Sequence, residues 1–202
     1  MPWSEFTALL LLATASSFTP GPNTTLSTAL AANHGLRRAM RFVLSVPVGW
    51  GLMYTACVFG IGALVLALPW LRMTLLLLGV GYLLWLAARL ARSGTLTQVS
   101  SARLSIGFGQ GVLLQFLNVK AWLLALSVAA GWVAGRPDAS IRFAQTLPVM
   151  LMFALVSNLS YALVGSLLRG WLEQGRRLLM FNRVMAAALV ATAGWMVWSA
   201  RT

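Results

Sequence analysis

The chain has 202 residues, 59% of them hydrophobic and 9% charged, against about 45–50% and about 25% in a soluble globular protein. That balance excludes an ordinary water-facing surface and predicts one compact transmembrane domain, residues 1–202, embedded in a lipid bilayer. The formal net charge of +12 arises from fourteen Arg and one Lys against three acids; the basic residues sit in short clusters between apolar runs, which reads as membrane anchoring and excludes a nucleic-acid partner.

A membrane helix needs about 20 mostly apolar residues to cross about 30 Å of hydrocarbon, and six stretches qualify. The first, Ser4 to Ala32, follows an N-terminus without Lys or Arg. It is therefore expected to be retained, although Ala13-Thr14-Ala15 has the look of a cleavage site. Its midpoint holds Thr19-Pro20-Gly21-Pro22-Asn23. Two prolines there remove two backbone donors and push the preceding residues out of the α region. In hydrocarbon each unsatisfied group costs several kcal/mol, so such a break is tolerated only when buried in protein or lining a wet cavity.

The second and third stretches, Arg41 to Leu66 and Leu68 to Ala88, carry Gly49-x-Gly51, Gly60-x-Gly62 and Gly79-x-Gly81, small residues that let helices approach closely. The fourth, Ile106 to Val133, opens with Gly107-x-Gly109-x-Gly111 and ends beside Gly131 to Gly135, whose GxxxG spacing fits either internal packing or a homodimer. At its midpoint lie Gln115, Asn118 and Lys120. Lys120 is the only charge deep inside any span, a position that costs about 3 kcal/mol on insertion scales, so it should face the bundle interior and have a partner. The fifth, Phe143 to Leu168, brings Ser157, Asn158, Ser160 and Tyr161 to a similar depth, with Asn158 and Tyr161 on one face; interhelical hydrogen bonding and substrate binding are both open for them. The sixth runs from Phe181 to Ala200. Trp50 and Trp122 lie too deep for an interfacial belt, and packing is their default reading over lining a substrate path. Lone Cys57 and lone His34 build neither a disulfide nor a metal cage, so no cofactor or metal is expected.

Arginine counts set the orientation. Arg37, Arg38, Arg41, Arg89, Arg92, Arg103, Arg169, Arg176, Arg177 and Arg183 fall on one side, whereas Arg72, Arg136, Arg142 and Arg201 share the other with Glu5 and Asp138. The Arg-rich loops are expected in the cytoplasm of a bacterial cell and both termini in the periplasm. Trp3, Trp70, Trp132 and Trp198 near the outer ends and Trp171 near an inner one suit an aromatic belt. The fold class that follows is all-α integral membrane. Six transmembrane helices form two inverted three-helix halves, residues 1–98 and 99–202, with helices 1 and 4 interrupted at mid-membrane. Interruptions at matching places in two such halves are a pointer to a transporter's site.

Three motifs carry a resemblance: Phe18-Thr19-Pro20-Gly21-Pro22-Asn23, Gly79-x-Gly81-Tyr82-Leu83-Leu84-x-Leu86, and Phe108-x-x-Gly111 followed by Asn118-x-Lys120-Ala121. Across nearly the whole chain the sequence resembles the LysE/RhtB-type amino-acid exporters. The resemblance implies efflux of amino acids or their derivatives from the cytoplasm across the inner membrane, commonly attributed to proton exchange. Val119 stands where that family usually has a proline, which predicts a milder second break.

The expected substrate site comprises Pro20, Gly21, Pro22, Asn23, Asn118, Lys120, Asn158 and Tyr161. In this reading Lys120 pairs with a substrate carboxylate, while Asn23, Asn118 and the freed backbone groups orient the zwitterion. Lys120 is the first candidate for carrying a coupling proton and Glu5 the second, since no carboxylate falls at mid-membrane. A lone buried cation makes a neutral substrate more expected than a cationic one. Two other classes stand beside this one: a divalent-cation exporter of related fold, which a central lysine would oppose, and a non-transporting accessory subunit, which would need no central site. An enzyme is not expected, because no catalytic constellation occurs at depth.

Overall fold

The structure is a computed structural model that describes residues 1–93 and 105–199; Arg103, Arg201 and the expected boundary between residues 98 and 99 lie outside the described residues. The chain runs α1 (Trp3–Phe18), α2 (Pro22–His34), α3 (Leu36–Val58), α4 (Ile61–Ala67), α5 (Pro69–Arg92), α6 (Phe108–Phe116), α7 (Val119–Val128, continued by a π-helical turn Ala129–Val133), α8 (Ala139–Leu172) and α9 (Arg177–Ser199). There is no strand among the described residues.

Local chemistry explains the boundaries. Thr19 precedes Pro20 and takes an extended conformation, φ −72° and ψ 128°, which ends α1. Pro22 then starts α2 at a position where its missing N–H costs nothing. Gly35 at φ 79° closes α2, donating its N–H to the Ala31 carbonyl at 2.8 Å. Gly60 at φ 100° divides α3 from α4, so the expected second span arrives as a long helix and a separate seven-residue one.

Among the described residues, four helices are long and apolar enough to cross a membrane: α3, α5, α8 and α9. The α6–α7 pair passes as a fifth only if its 66° bend is accepted within one span. The α1–α2 segment, expected as the first of six spans with a break at its middle, is not among these. Helix α2 carries Thr24, Thr25, Ser27 and Thr28, all buried. Because the bundle surrounds α2, its hydroxyls need neighbours rather than lipid compatibility, and Thr24 and Thr28 donate to the carbonyls of Gly21 (3.1 Å) and Thr24 (2.8 Å) on their own turns. Helices α8 and α9 behave in the opposite way: only 22% of their most apolar windows is buried inside the bundle, leaving large side chains such as Leu167, Met180 and Val184 facing outward. Such an apolar exterior is what a lipid solvent requires.

Helix α2 packs chiefly on α8, α5 on α9, and α3 on both α8 and α6. Glycines set the closest approaches. A Cβ at Gly165 of α8 would overlap the Thr28 carbonyl of α2, and one at Gly79 of α5 would overlap the Leu117 carbonyl. Gly49 and Gly111 close the α3–α6 contact in the same way. Gly60, Gly81, Gly109, Gly131 and Gly135 have no such neighbour, so the packing expectation holds for at least one glycine of each G-x-G motif and fails for the GxxxG pair, whose Gly135 instead turns the chain at φ 70°.

The buried apolar residues form two clusters. One gathers Leu26, Phe42, Val46, Leu83, Leu114, Ala162 and Leu189 among others; the second gathers Leu9, Ala13, Trp50, Met53, Ala121, Trp122 and Met150. Polar ties close the far side of each. Beyond the second cluster Arg142, 6% exposed, is held by Asp138 at 2.7 Å and by Glu5, while Arg136 approaches Glu5 at 3.7 Å and the Trp132 indole donates to the Glu5 carbonyl at 2.9 Å. Two carboxylates offset the cost of burying one guanidinium. Beyond the first cluster Asn33 and Asn182 exchange amide hydrogen bonds of 2.7 and 2.9 Å, and Asn182 also donates to the Ser93 carbonyl.

Replacing Gly165 with Ala is expected to lower thermal stability in detergent by about 1–3 kcal/mol, because the methyl meets backbone that cannot move aside. Gly81→Ala, at an open position, should not. The hydrogen bond from Arg142 holds the Asp138 carboxyl below its ordinary value of 3.8. Asp138 therefore contributes stability above that value that is lost as pH falls through the lowered one. Melting temperatures recorded from about pH 5 downward should drop in the native chain and drop less in Asp138→Asn.

Candidate functional site

Four elements cross from one apolar cluster to the other, and each carries polar residues at the crossing: the α1–α2 break, the α6–α7 break, α3 near Trp50, and α8 at Ser157 and Asn158. They enclose a cavity of about 70 Å³. At about 10–15 Å³ for a single water, that is room for about five water-sized groups.

The first break is closed by side chains from elsewhere in the chain. In a continuous helix the Phe18 carbonyl would accept from residue 22, which is a proline and has no donor. The Tyr161 hydroxyl donates to it instead, at 2.9 Å. The Thr19 carbonyl receives the Lys120 ammonium at 2.8 Å. Ala15 accepts the Thr19 hydroxyl. Lys120 thus places a positive charge at the C-terminal end of α1, where the helix dipole favours it. Its side chain lies along the break, for a Cβ at Gly21 would sit 3.4 Å from Lys120 Cδ and Nζ. On the far side of the break the Gly21 N–H donates to Thr24 Oγ1 at 3.0 Å.

The second break is kept sharp without a proline. Leu117 and Asn118 tighten the end of α6 with bonds to Leu114 and Gln115, each 3.2 Å. Asn118 turns extended, φ −98° and ψ 101°, and its side chain accepts the Lys120 backbone N–H at 3.2 Å as the cap of α7. Val119 occupies the first helical position, where a proline's missing donor would cost nothing and a valine's N–H is equally unneeded. The bend here is 66°, so the break is sharp although the proline is missing. The Trp122 indole donates to the Phe116 carbonyl at 2.8 Å, satisfying a group freed at the end of α6.

An amide pair joins the two breaks: Asn23 donates to Gln115 at 2.8 Å and Gln115 returns a bond at 3.1 Å. Ser27 of α2 donates to Asn158 of α8 at 2.9 Å. Of the residues expected from sequence, the structure brings Gly21, Pro22, Asn23, Asn118, Lys120 and Asn158 to the cavity wall. Pro20 does not line it, and Tyr161 stands beside it as a cap on Phe18. Glu5 also lies outside the lining, engaged by Arg142 and Arg136. Sequence reasoning did not assign Ser16, Ser17 and Thr24 to the wall, and it gave Trp50 to packing. Helical spacing from the break could have found the two serines; nothing in the sequence marks which face of α3 turns inward at Trp50.

Lys120 is the only charged residue of the cavity wall. All three carboxylates of the chain are occupied by arginines: Glu5 and Asp138 as above, and Glu173 by Arg169 at 3.0 Å. One ammonium proton goes to Thr19, and no carboxylate pairs with Lys120 among the described residues. The site can therefore offer further donors of a full positive charge, together with side-chain amides and hydroxyls, to an anionic group.

The sequence model of the LysE type translocators matches residues 14–199. A cysteine/O-acetylserine efflux protein of Klebsiella pneumoniae is 32% identical over 191 residues, covering 92% of this chain and 93% of its own. The proteins of the same name from Escherichia coli K12 and Salmonella typhimurium are each 29% identical over 88% of this chain and 90% of theirs. No solved structure gives a significant match. A match over nearly the full length, with both helix breaks and the central lysine inside it, places the chain in the LysE type translocator family, and hence among transporters rather than enzymes.

Proposed function

We propose that the chain exports small neutral amino acids and their derivatives from the cytoplasm across the bacterial inner membrane, with the substrate carboxylate on Lys120. The observation that carries this reading is the Lys120 ammonium, set in a cavity at the meeting of two helix breaks with no carboxylate partner among the described residues. A hydrogen bond to a charged group is worth about 1.5–3 kcal/mol, so a carboxylate replaces the Thr19 carbonyl at Lys120 without a large barrier. Asn23, Asn118 and Asn158 orient the rest of the zwitterion, and the first turn of α2 presents its positive dipole end. A second positive charge, as on a lysine substrate or a divalent cation, is disfavoured beside Lys120. Relatives of this chain that are named for cysteine and O-acetylserine efflux agree with a small neutral substrate.

In this reading α1–α2 is the first of six crossings, and the two three-helix halves insert with opposite orientation, their Arg-rich loops cytoplasmic and both termini periplasmic. At the level of whole spans, helix pairing supports the exchange of halves: α1–α2 packs on α8 as α6–α7 packs on α3, while α3–α8 and α5–α9 pair matching helices with each other. Alternating access is the rocking of one half on the other about the two breaks. Export runs by exchange with protons carried on Lys120, the only titratable group of the cavity wall.

Lys120→Met should reach the membrane at normal levels yet lose nearly all efflux of O-acetylserine and cysteine from loaded proteoliposomes; unaltered efflux by that variant overturns the site. With the native chain, an imposed pH gradient should drive substrate against its own gradient. If the flux instead ignores the gradient, the protein is a facilitator and the proton step is discarded.

A further inference from the structure

Two tryptophans are buried near the site, and they differ in one respect. The Trp122 indole N–H is committed to the Phe116 carbonyl at 2.8 Å. Trp50, 4% exposed, has an Nε1 with no hydrogen-bond partner, and it is the one buried side-chain nitrogen or oxygen so left among the described residues. A buried donor without an acceptor costs about 1–3 kcal/mol, and such orphans in a native structure call for a function. Trp50 lines the same cavity as Lys120. Its ring is fixed in place: it stacks on Tyr54 with centroids 5.0 Å apart and planes 20° apart, and the Tyr54 hydroxyl is anchored to Thr146 at 2.7 Å. A rigid donor held by packing on an apolar cluster is how a selective contact is built.

Resting on the export reading above, we infer that the Trp50 indole N–H is the donor that selects the substrate's side chain. The carboxylate is taken by Lys120, and an ammonium group cannot accept a hydrogen bond. The substrate acceptor that differs from one amino acid to another is an atom of the side chain, such as an ester carbonyl, a hydroxyl or, more weakly, a thiol sulfur, and this is the partner we assign to Trp50. An aliphatic amino acid of the same shape leaves the indole N–H unsatisfied and is rejected for that reason, as sites built around a hydrogen bond reject analogues that lack it. Trp50 thereby separates oxygen-bearing small amino acids from their hydrocarbon isosteres, whereas Lys120 accepts both.

The test compares efflux of O-acetylserine and norleucine, whose side chains have the same length but differ in acceptors, from proteoliposomes of the full chain. Trp50→Phe keeps an aromatic ring on Tyr54 and removes the N–H together with part of the indole, and Trp122→Phe makes the same change in ring size as its control. It should cut the preference for O-acetylserine over norleucine by about five- to tenfold, the factor that one neutral hydrogen bond is worth. Trp122→Phe should lower thermal stability and leave the preference intact, which separates loss of a structural donor from loss of a selective one. An unchanged preference in a folded Trp50→Phe variant overturns the inference while the export reading stands. If Trp50→Phe does not fold, the native chain decides the matter: equal transport of the two compounds overturns the inference, and transport of neither overturns the export reading and the inference with it.

Discussion

The bond from Lys120 to the Thr19 carbonyl is the contact on which the centre of this protein depends. Pro20 and Pro22 break the helix at the edge of the bundle, where Phe18, Thr19 and Pro20 are exposed, and strand the carbonyls at the end of α1. A cation from the other break closes the gap, and the α1 dipole favours it there. Tyr161 does the same for Phe18 from a third element. The residues that make the break affordable are thus supplied from more than a hundred positions away in the chain, so the site exists only in the assembled bundle.

The two breaks are built by different means. In the first, proline and glycine forbid the helix and distant side chains repair the damage. In the second the chain is free to continue, and it is turned by capping: Asn118 holds the start of α7, and Trp122 takes the Phe116 carbonyl from within the same segment. The breaks are locked to each other by the reciprocal amides of Asn23 and Gln115. The polar layer so formed lies between two apolar clusters, each closed at its far side by a polar tie, Glu5–Arg142–Asp138 at one end and Asn33–Asn182–Ser93 at the other. A cavity between these clusters, lined by one ammonium with no carboxylate partner among the described residues, has the parts an alternating-access site requires.

Charge placement also narrows the chemistry. With only three acids in the chain and each held by arginine, the interior is left with a single cation and a set of neutral dipoles. Anions and zwitterions are stabilised in such a field and free cations are not. The contrast between Trp122 and Trp50 makes the same point for neutral groups: one N–H supports the fold, and the other is left for what enters the cavity.

Sequence alone determined the membrane class, the two breaks and the lysine beside the second of them, because apolar run length, proline chemistry and the cost of a charge in lipid act locally or depend on depth only. It also found six of the eight expected wall residues, since these flank the breaks or share a helix face at mid-depth. Three things needed the tertiary structure. That α2 is enclosed by other helices could not be read from hydropathy, which placed it in the first apolar stretch without naming its neighbours. Val119 suggested a mild bend, whereas the Asn118 cap and the tightened end of α6 set the angle. The roles of Tyr161, Gln115, Trp122 and Trp50 were decided by partners from 6 to 143 positions distant, or by the lack of one, and no periodicity records which side chains a folded bundle brings within 3 Å of each other.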